Sequence, residues 1–165
     1  MQTTRAIGLR VYANRQVFYT IIESDDVGNL VYRDISYINV PLSLDIPERL
    51  NFIRNTILDV ILEYDIKLAG IRVSEMTRTF NQTAIERFNL EGVIQECLAS
   101  SGVVSYIAGR IGQISALAKI PQANFKKLAA GEMVFEFFKS DRGWDKLSLE
   151  ERESSITCFA ALQLN

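Results

Sequence analysis

The sequence has no histidine and only two cysteines among its 165 residues. The missing histidine excludes Ser-His-Asp and Cys-His catalysis, histidine-ligated zinc or haem, and a histidine pH switch. Cys97 and Cys158 are too few for a disulfide framework or a cysteine-based zinc site. Both fall at apolar helical positions, which predicts buried thiols. Carboxylates, lysines, hydroxyls and the two thiols are left for chemistry.

Long apolar runs are also missing, because no stretch approaches the roughly 20 residues that a membrane-spanning helix needs. Residues 1–10 are polar, with a charge at Arg5, and lack the apolar core of a signal peptide. These absences predict a cytoplasmic protein with reduced cysteines and without a membrane partner.

Neither sign of charge is in large excess, since 18 basic and 20 acidic side chains give a net charge of −2. That balance argues against coating nucleic acid by bulk charge, but it is compatible with a local basic groove. With 48% apolar and 23% charged residues, the composition is that of a globular protein, and the length predicts a single domain over 1–165.

The first third of the chain predicts strands, and the rest mixes helices with strands. Segments 5–12, 17–23 and 30–37 alternate or are rich in β-branched residues, and short turns join them into an antiparallel meander. Asp45 before Ile46-Pro47-Glu48 is typical of a helix start. A strand is then expected at 70–74, a helix from a capping box at 83–86 to residue 98, and a strand at 103–108. Short helices are expected at 111–119, 125–130 and 132–139, and a capping box at 148–151 opens a last helix.

This order, β-β-β-α-β-α-β-α, predicts an α/β fold with one sheet. Helices that connect strands require right-handed crossovers, so the fourth and fifth strands lie parallel. The expected architecture is a mixed five-stranded sheet, a three-stranded antiparallel meander plus two parallel strands, flanked by helices.

The order of elements resembles the ribonuclease H-like superfamily over nearly the whole chain. Segment 87–95, RFNLEGVIQ, is similar to the helix after the fourth strand in a small uncharacterised relative of the RuvC-type Holliday junction resolvases. The resemblance implies three or four carboxylates around two divalent ions, on the first strand, at the end of the fourth strand and at the start of the last helix.

Matched residue by residue, the resemblance implies degenerate catalytic acids. The first strand has Arg10 where an aspartate is expected, and Glu75 follows the fourth strand. In the last helix, a shift of one residue decides whether Glu151 or Glu153 points inward, with Glu150 beside them.

Each of these residues also has an ordinary structural explanation. Glu75 is then a strand-end carboxylate paired with Arg72 or Arg78, and Glu91 is a glutamate paired along its helix. The acids of the last helix suit its positive N-terminal end. Arg10 either binds a phosphate in place of the missing acid or caps the sheet and pairs with Glu75.

Basic residues provide a candidate nucleic-acid surface, formed by Arg10, Arg110, Lys126 and Lys127. Nearby aromatic side chains would supply stacking platforms: Phe125, Phe137, Phe138 and Trp144. The alternative is that the lysines are solvated and the aromatic residues belong to the core. The apolar excess in 132–138 is typical of an interface such as a homodimer contact, or of a buried helix.

Three functions stay open. The favoured hypothesis is a catalytically degenerate ribonuclease H-like domain that acts as a binding or assembly module on nucleic acid or a protein partner, without a cofactor. The alternative is a nuclease dependent on Mg²⁺ or Mn²⁺, with Glu75, Glu91 and Glu151 as catalytic residues and Glu75 and Glu151 as metal ligands. The third is a structural or regulatory subunit whose fold does not reveal its task.

Overall fold

Five strands form one mixed sheet in the computed structural model, which describes residues 3–76 and 79–164. The strands are β1 (Thr4–Tyr12), β2 (Gln16–Ser24), β3 (Leu30–Asn39), β4 (Leu68–Arg72) and β5 (Ser105–Gly109), in the spatial order β3-β2-β1-β4-β5. β1, β2 and β3 are antiparallel neighbours, whereas β4 pairs with β1, and β5 with β4, in parallel. The predicted meander with two parallel strands is confirmed.

Among the described residues, helices cover both faces of this sheet. They are α1 (Ile46–Glu63), α2 (Gln82–Ser100), α3 (Ile111–Leu117), α4 (Gln122–Ala130) and α5 (Leu149–Ala161), and a 3-10 turn at Trp144–Lys146 precedes α5. The first hydrophobic core lies between the sheet and α1 and α2. The second lies between the sheet and α3, α4 and α5.

Alternation along β1 divides its side chains between the two cores. Ile7 and Leu9 face α1 and α2 and are almost fully buried. Gly8 and Arg10 face α5 on the opposite side. The position of a polar residue in β1 therefore decides which helix it meets.

α5 lies at the centre of the second core and is buried from Glu151 to Ala161. It approaches β1 so closely that a Cβ on Gly8 would lie 2.2 Å from both the backbone nitrogen of Cys158 and the carbonyl oxygen of Ser154. On β2, the hydroxyl of Thr20 is 2.8 Å from that of Ser154. A glycine on the strand and a small polar side chain on the helix thus permit the short distance between them.

Side-chain caps fix where two of the helices begin, as the sequence predicted. Asp45 accepts a hydrogen bond from the backbone N–H of Glu48 at 3.0 Å, at the start of α1. Ser148 and Glu151 form the capping box of α5.

Two local predictions are wrong. The capping box predicted at 83–86 is not used, because Asn81 lies earlier and its side chain already caps the first turn of α2. The helix predicted at 132–139 does not form. Gly131 ends α4 with a φ of 79°, and the chain continues without a helix so that Phe135 inserts into the second core.

Both cysteines are buried, as predicted. Burial raises the pKa of the Cys97 thiol to about 11, and it also raises the pKa of Cys158. Neither thiol therefore ionises near neutral pH. Among the described residues, none of the helices has the combination of length and apolar character needed to cross a bilayer.

Candidate functional site

Two arginines meet at the carboxyl ends of β1 and β4. Arg10 and Arg72 are partners in the parallel register of these strands, so their side chains leave the same face of the sheet next to each other. α5 directs Glu153 towards them from above that face. All three residues are buried, with 9% of Arg10, 4% of Arg72 and 5% of Glu153 exposed. We call these residues the Arg10–Arg72–Glu153 cluster.

Glu153 is the carboxylate that the two guanidinium groups share. Its Oε2 contacts the Nε of Arg10 and lies 3.5 Å from the Nε of Arg72. Arg10 is thus paired with Glu153 and not with Glu75, the partner that one of the sequence hypotheses gave it.

The charge of the cluster is unbalanced, because two cations share one anion in a buried position. Burial, together with the neighbouring Arg10, lowers the pKa of Arg72 from its usual value. The buried Nη1 of Arg10 has no hydrogen-bond partner among the described residues. The three buried residues therefore carry one more positive than negative charge, and they keep a donor that Glu153 does not satisfy.

Glu75 lies at the rim of the cluster, just after β4. Its Oε1 accepts a hydrogen bond from the backbone N–H of Ile111 at 2.8 Å, at the first residue of α3. The same oxygen is 3.6 Å from the Nη2 of Arg72, and 47% of the Glu75 side chain is exposed. The expected pairing with Arg72 is present, whereas Arg78 lies outside the described residues.

Glu91 is held by its own helix and by the loop that follows β4. Its Oε1 accepts hydrogen bonds from the backbone N–H of Ser74 at 3.0 Å, the Ser74 hydroxyl at 2.6 Å and the Nε of Arg87 at 3.1 Å. The pairing along the helix that the sequence suggested is therefore present. Glu91 ties the loop after β4 to α2.

Glu151 lies at the start of α5 and fastens the segment before it. Its carboxylate accepts two hydrogen bonds from the guanidinium of Arg142, at 2.7 and 3.0 Å, and one from the backbone N–H of Ser148 at 2.7 Å. Glu153, two residues later, is the acid that reaches β1.

We expect Glu151→Gln to lower the free energy of unfolding by about 1–2 kcal/mol, because it weakens the capping box and the charged pair with Arg142. Urea unfolding followed by circular dichroism measures the change. Glu150→Gln is the matched control, since Glu150 makes no ion pair within the described residues. Equal stability of the two variants would contradict a structural role for Glu151.

The family resemblance implies two divalent ions between these elements, and the side chains present do not fit them. Among the described residues, no three His, Cys, Asp or Glu side chains converge on one point. Arg10 occupies the first-strand position and Arg72 adjoins it, so the local charge repels a cation. The two implied ligands, Glu75 and Glu151, are bonded to different elements.

A cleft of about 590 Å³ opens beside the cluster, within the range of small-molecule binding sites. Arg10, Arg72 and Arg87 line it, together with hydroxyl and amide side chains such as Ser74 and Asn81. The Nη2 of Arg87 is buried without a hydrogen-bond partner among the described residues. Guanidinium and polar side chains of this kind suit a phosphate group.

The other predicted basic residues lie on neighbouring surfaces. Arg110 donates a hydrogen bond from Nε to the carbonyl oxygen of Ser74 at 3.2 Å, at the border of the cleft. Lys126 lines a second groove of about 570 Å³ together with Glu75. Lys127 is exposed in the last turn of α4. The structure thus brings Arg10 into the cleft, places Arg110 at its border and leaves the two lysines outside it.

The aromatic residues of the last third belong mainly to the second core. Phe125 and Trp144 are 0% and 3% exposed, so the stacking role suggested for them is wrong. Phe137 stacks on Phe159 with 4.4 Å between ring centroids, and Phe138 packs edge-on against Trp144. The homodimer suggested by the apolar excess of 132–138 stays a prediction.

The sequence did not identify Arg72 and Arg87 as members of the site, and it left open whether Glu151 or Glu153 points inward. One signal was available. Arg10 lies between the apolar residues Leu9 and Val11 of β1, Arg72 ends the apolar strand β4, and a charge in a buried strand requires a partner. The partner itself lies far away in the sequence, so its identity follows only from the fold.

The sheet order and the helices on both of its faces give the chain a ribonuclease H-like fold of the RuvC type. The chain is similar to RuvC of Thermus thermophilus in complex with a Holliday junction substrate, at a TM-score of 0.65 and 10% identity over 97% of this chain and 94% of that one. It is also similar to another T. thermophilus RuvC structure, at a TM-score of 0.66 and 10% identity with the same coverage. For the yeast mitochondrial Holliday junction resolvase, the TM-score is 0.58 at 11% identity, over 97% and 78% of the two chains. No protein-family model and no curated protein matches the chain.

Proposed function

We propose that this chain is a non-hydrolytic ribonuclease H-like module that binds nucleic acid in the cleft beside the Arg10–Arg72–Glu153 cluster. The cluster itself carries the proposal. Arg10 lies on the first strand where the resemblance implies an aspartate, the buried Arg72 lies next to it, and Glu153 of the last helix contacts both. A site of this charge favours a phosphate directly, where a metal-binding site favours a cation.

Three features of the cleft support a phosphate ligand. Arg10, Arg72 and Arg87 line one cavity, and guanidinium groups bind phosphate oxygens with paired donors. Buried nitrogens of Arg10 and Arg87 have no hydrogen-bond partner among the described residues. Ser74 and Asn81 add neutral polar groups to the wall, as in many phosphate contacts.

Nucleic acid is favoured over a protein partner by the fold. A T. thermophilus RuvC of similar structure is in complex with a Holliday junction substrate. Phosphates recur along a nucleic acid, so several cationic side chains around one cleft are typical of such a ligand. Because the net charge of the chain is −2, this binding depends on a local group of positive side chains and not on the charge of the whole protein.

Metal-dependent phosphodiester hydrolysis is the competing hypothesis. Its strongest support is Glu75, which is half exposed and lies between the cleft and the second groove. A nuclease built on Glu75 requires Mg²⁺ or Mn²⁺ and loses its activity in Glu75→Gln.

The test measures the fluorescence anisotropy of labelled four-way junction, duplex and single-stranded oligonucleotides in EDTA over a range of salt concentrations. We expect wild-type protein to bind at least one of them without metal, with an affinity that falls as salt rises. Arg87→Ala is expected to weaken binding by about tenfold or more, because it removes a charged phosphate contact. Arg54→Ala is the matched control, since Arg54 pairs with Glu96 on the other face of the sheet.

Two outcomes would overturn the proposal. The first is that the wild-type protein binds none of the oligonucleotides, or that Arg87→Ala and Arg54→Ala change its affinity by the same factor. The second is cleavage of any substrate in Mn²⁺ that Glu75→Gln abolishes, which would establish the nuclease instead. Thermal unfolding of each variant separates a loss of binding from a loss of fold.

A further inference from the structure

The face of the sheet that carries Arg10 continues as a strip of aromatic side chains. Strand register aligns Tyr37, Phe18 and Arg10 in one row across β3, β2 and β1, and Arg72 extends that row on β4. Tyr12 lies two residues beyond Arg10 on the same face, because side chains alternate along a strand. We call Tyr12, Phe18 and Tyr37 the tyrosine strip.

Two rings of the tyrosine strip are open to solvent. Tyr12 is 46% exposed and Tyr37 is 50% exposed, whereas Phe18 is buried at 7%. Phe18 and Tyr37 pack against each other with 5.5 Å between ring centroids, so Phe18 supports Tyr37 from the side. The solvent-exposed side of an aromatic ring on a sheet does not contribute to packing.

Tyr12 joins two cavities. It lines the cleft of about 590 Å³ beside the cluster and also a groove of about 670 Å³ at the end of the meander. Arg15, Gln16 and Asn39 line this groove at the end of the meander. An elongated ligand that crosses Tyr12 therefore meets the amides on one side and the arginines on the other.

The charge along this path is complementary to a polyanion. Arg10 and Arg72 share the buried carboxylate of Glu153, and the half-exposed Glu75 lies 3.6 Å from Arg72. Arg15 is exposed, and its guanidinium has no ion-pair partner among the described residues. Positive groups thus lie on both sides of Tyr12.

We infer that the tyrosine strip binds single-stranded nucleic acid, with unpaired bases stacked on Tyr12 and Tyr37 and phosphates held by Arg15 and the Arg10–Arg72–Glu153 cluster. The inference rests on the proposed function and narrows its ligand class. A surface that carries both aromatic and cationic side chains suits a single strand, since every base offers a flat face for stacking and every phosphate a negative charge. Bases within a duplex are already stacked on each other, so they cannot reach these rings.

The spacing also favours a strand over a small ligand. Tyr12 and Tyr37 lie on β1 and β3, two strand spacings or roughly 10 Å apart across the sheet. One aromatic ligand cannot cover both rings at that separation. Successive nucleotides of one chain can cover both rings, with the intervening phosphates lying over the sheet.

The experiment compares the affinities of labelled oligothymidylate and of a mixed-sequence duplex for wild type, Tyr12→Ala and Tyr37→Ala. We expect the single strand to bind more tightly than the duplex. Each alanine variant is expected to weaken single-strand binding by between about 5-fold and 100-fold, and Tyr12→Phe to bind like wild type because the ring is kept. Tyr106→Ala is the matched control, since Tyr106 is 47% exposed but belongs to β5 and to the other face of the sheet.

The outcomes separate this inference from the proposed function. Duplex or junction binding that depends on Arg87, with no preference for the single strand and no effect of Tyr12→Ala or Tyr37→Ala, overturns the inference and leaves the proposed function intact. Equal losses in Tyr106→Ala also overturn it. Binding of no nucleic acid overturns both. The exposed positions of the tyrosines make the variants foldable, which thermal unfolding checks.

Discussion

Replacing Gly8 with alanine is expected to unfold the protein or to lower its free energy of unfolding by more than about 4 kcal/mol. The new Cβ would lie 2.2 Å from the backbone nitrogen of Cys158 and 2.2 Å from the carbonyl oxygen of Ser154. Both obstacles are backbone atoms of α5, so no side chain can rotate to make room. The helix would have to move away from β1 and separate the second core from the sheet.

Gly92→Ala is the matched control for this substitution. Gly92 lies within α2, and a Cβ there would meet no atom within 4 Å. Alanine is the better helix former, so we expect this variant to be more stable than wild type by about 0.5–1 kcal/mol. Urea unfolding of the three proteins measures both effects. A Gly8→Ala protein of wild-type stability would contradict the close approach of α5 to β1.

Glu153→Gln is expected to lower the free energy of unfolding by about 3–5 kcal/mol. The amide has nearly the same shape as the carboxylate, so packing is conserved while the charge is lost. Arg10 and Arg72 would then be two buried guanidinium groups without the carboxylate that now contacts both. Their mutual repulsion would no longer be offset, and the buried arginines would favour the unfolded chain, where water solvates them.

Glu96→Gln is the control for a charged pair that is open to solvent. Glu96 is paired with Arg54, and about half of the Glu96 side chain is exposed. We expect no measurable change in its unfolding curve, because water and salt screen such pairs. If Glu153→Gln were as stable as Glu96→Gln, the Arg10–Arg72–Glu153 cluster would not be the buried ion pair that the proposed function requires.

The architecture could be predicted because local sequence patterns specify most of its strands and helices. Alternation in β1 and short turns between the first strands specify a meander without reference to the rest of the chain. Asp45 and Ser148 mark the starts of α1 and α5 by their own hydrogen bonds. Right-handed crossovers then leave one arrangement for β4 and β5.

The site was only partly predictable because its contacts are distant in sequence. Arg10 was identified as the residue in place of an acid, but its partner Glu153 lies on α5, and neighbouring acids had equal claims. A helix turns by about 100° per residue, so the choice between Glu151 and Glu153 depends on a helix rotation that only packing fixes. The sequence does not single out Tyr12 and Tyr37, since exposure of a strand face depends on how far the opposite helix extends.

The prediction of a helix at 132–139 was wrong for the same reason, because the contacts that decide its structure are distant in sequence. The segment was predicted as a short helix with more apolar residues than one helical face needs, yet Phe135 packs individually among aromatic side chains of the second core. Tertiary contacts of large rings outweighed the weak local preference for a helix.

The position of α5 has a consequence for how the chain folds in a cell. The thiol of Cys158 donates to the carbonyl oxygen of Ala6, 152 positions earlier, and the helix covers β1, β2 and β4 together. At synthesis rates of about 5–20 residues per second, a time on the order of ten seconds separates the synthesis of the first strands from that of α5. During that time the apolar face that α5 later covers is open to other nascent chains. The second core therefore cannot close on that face of the sheet until residues 149–161 have been made.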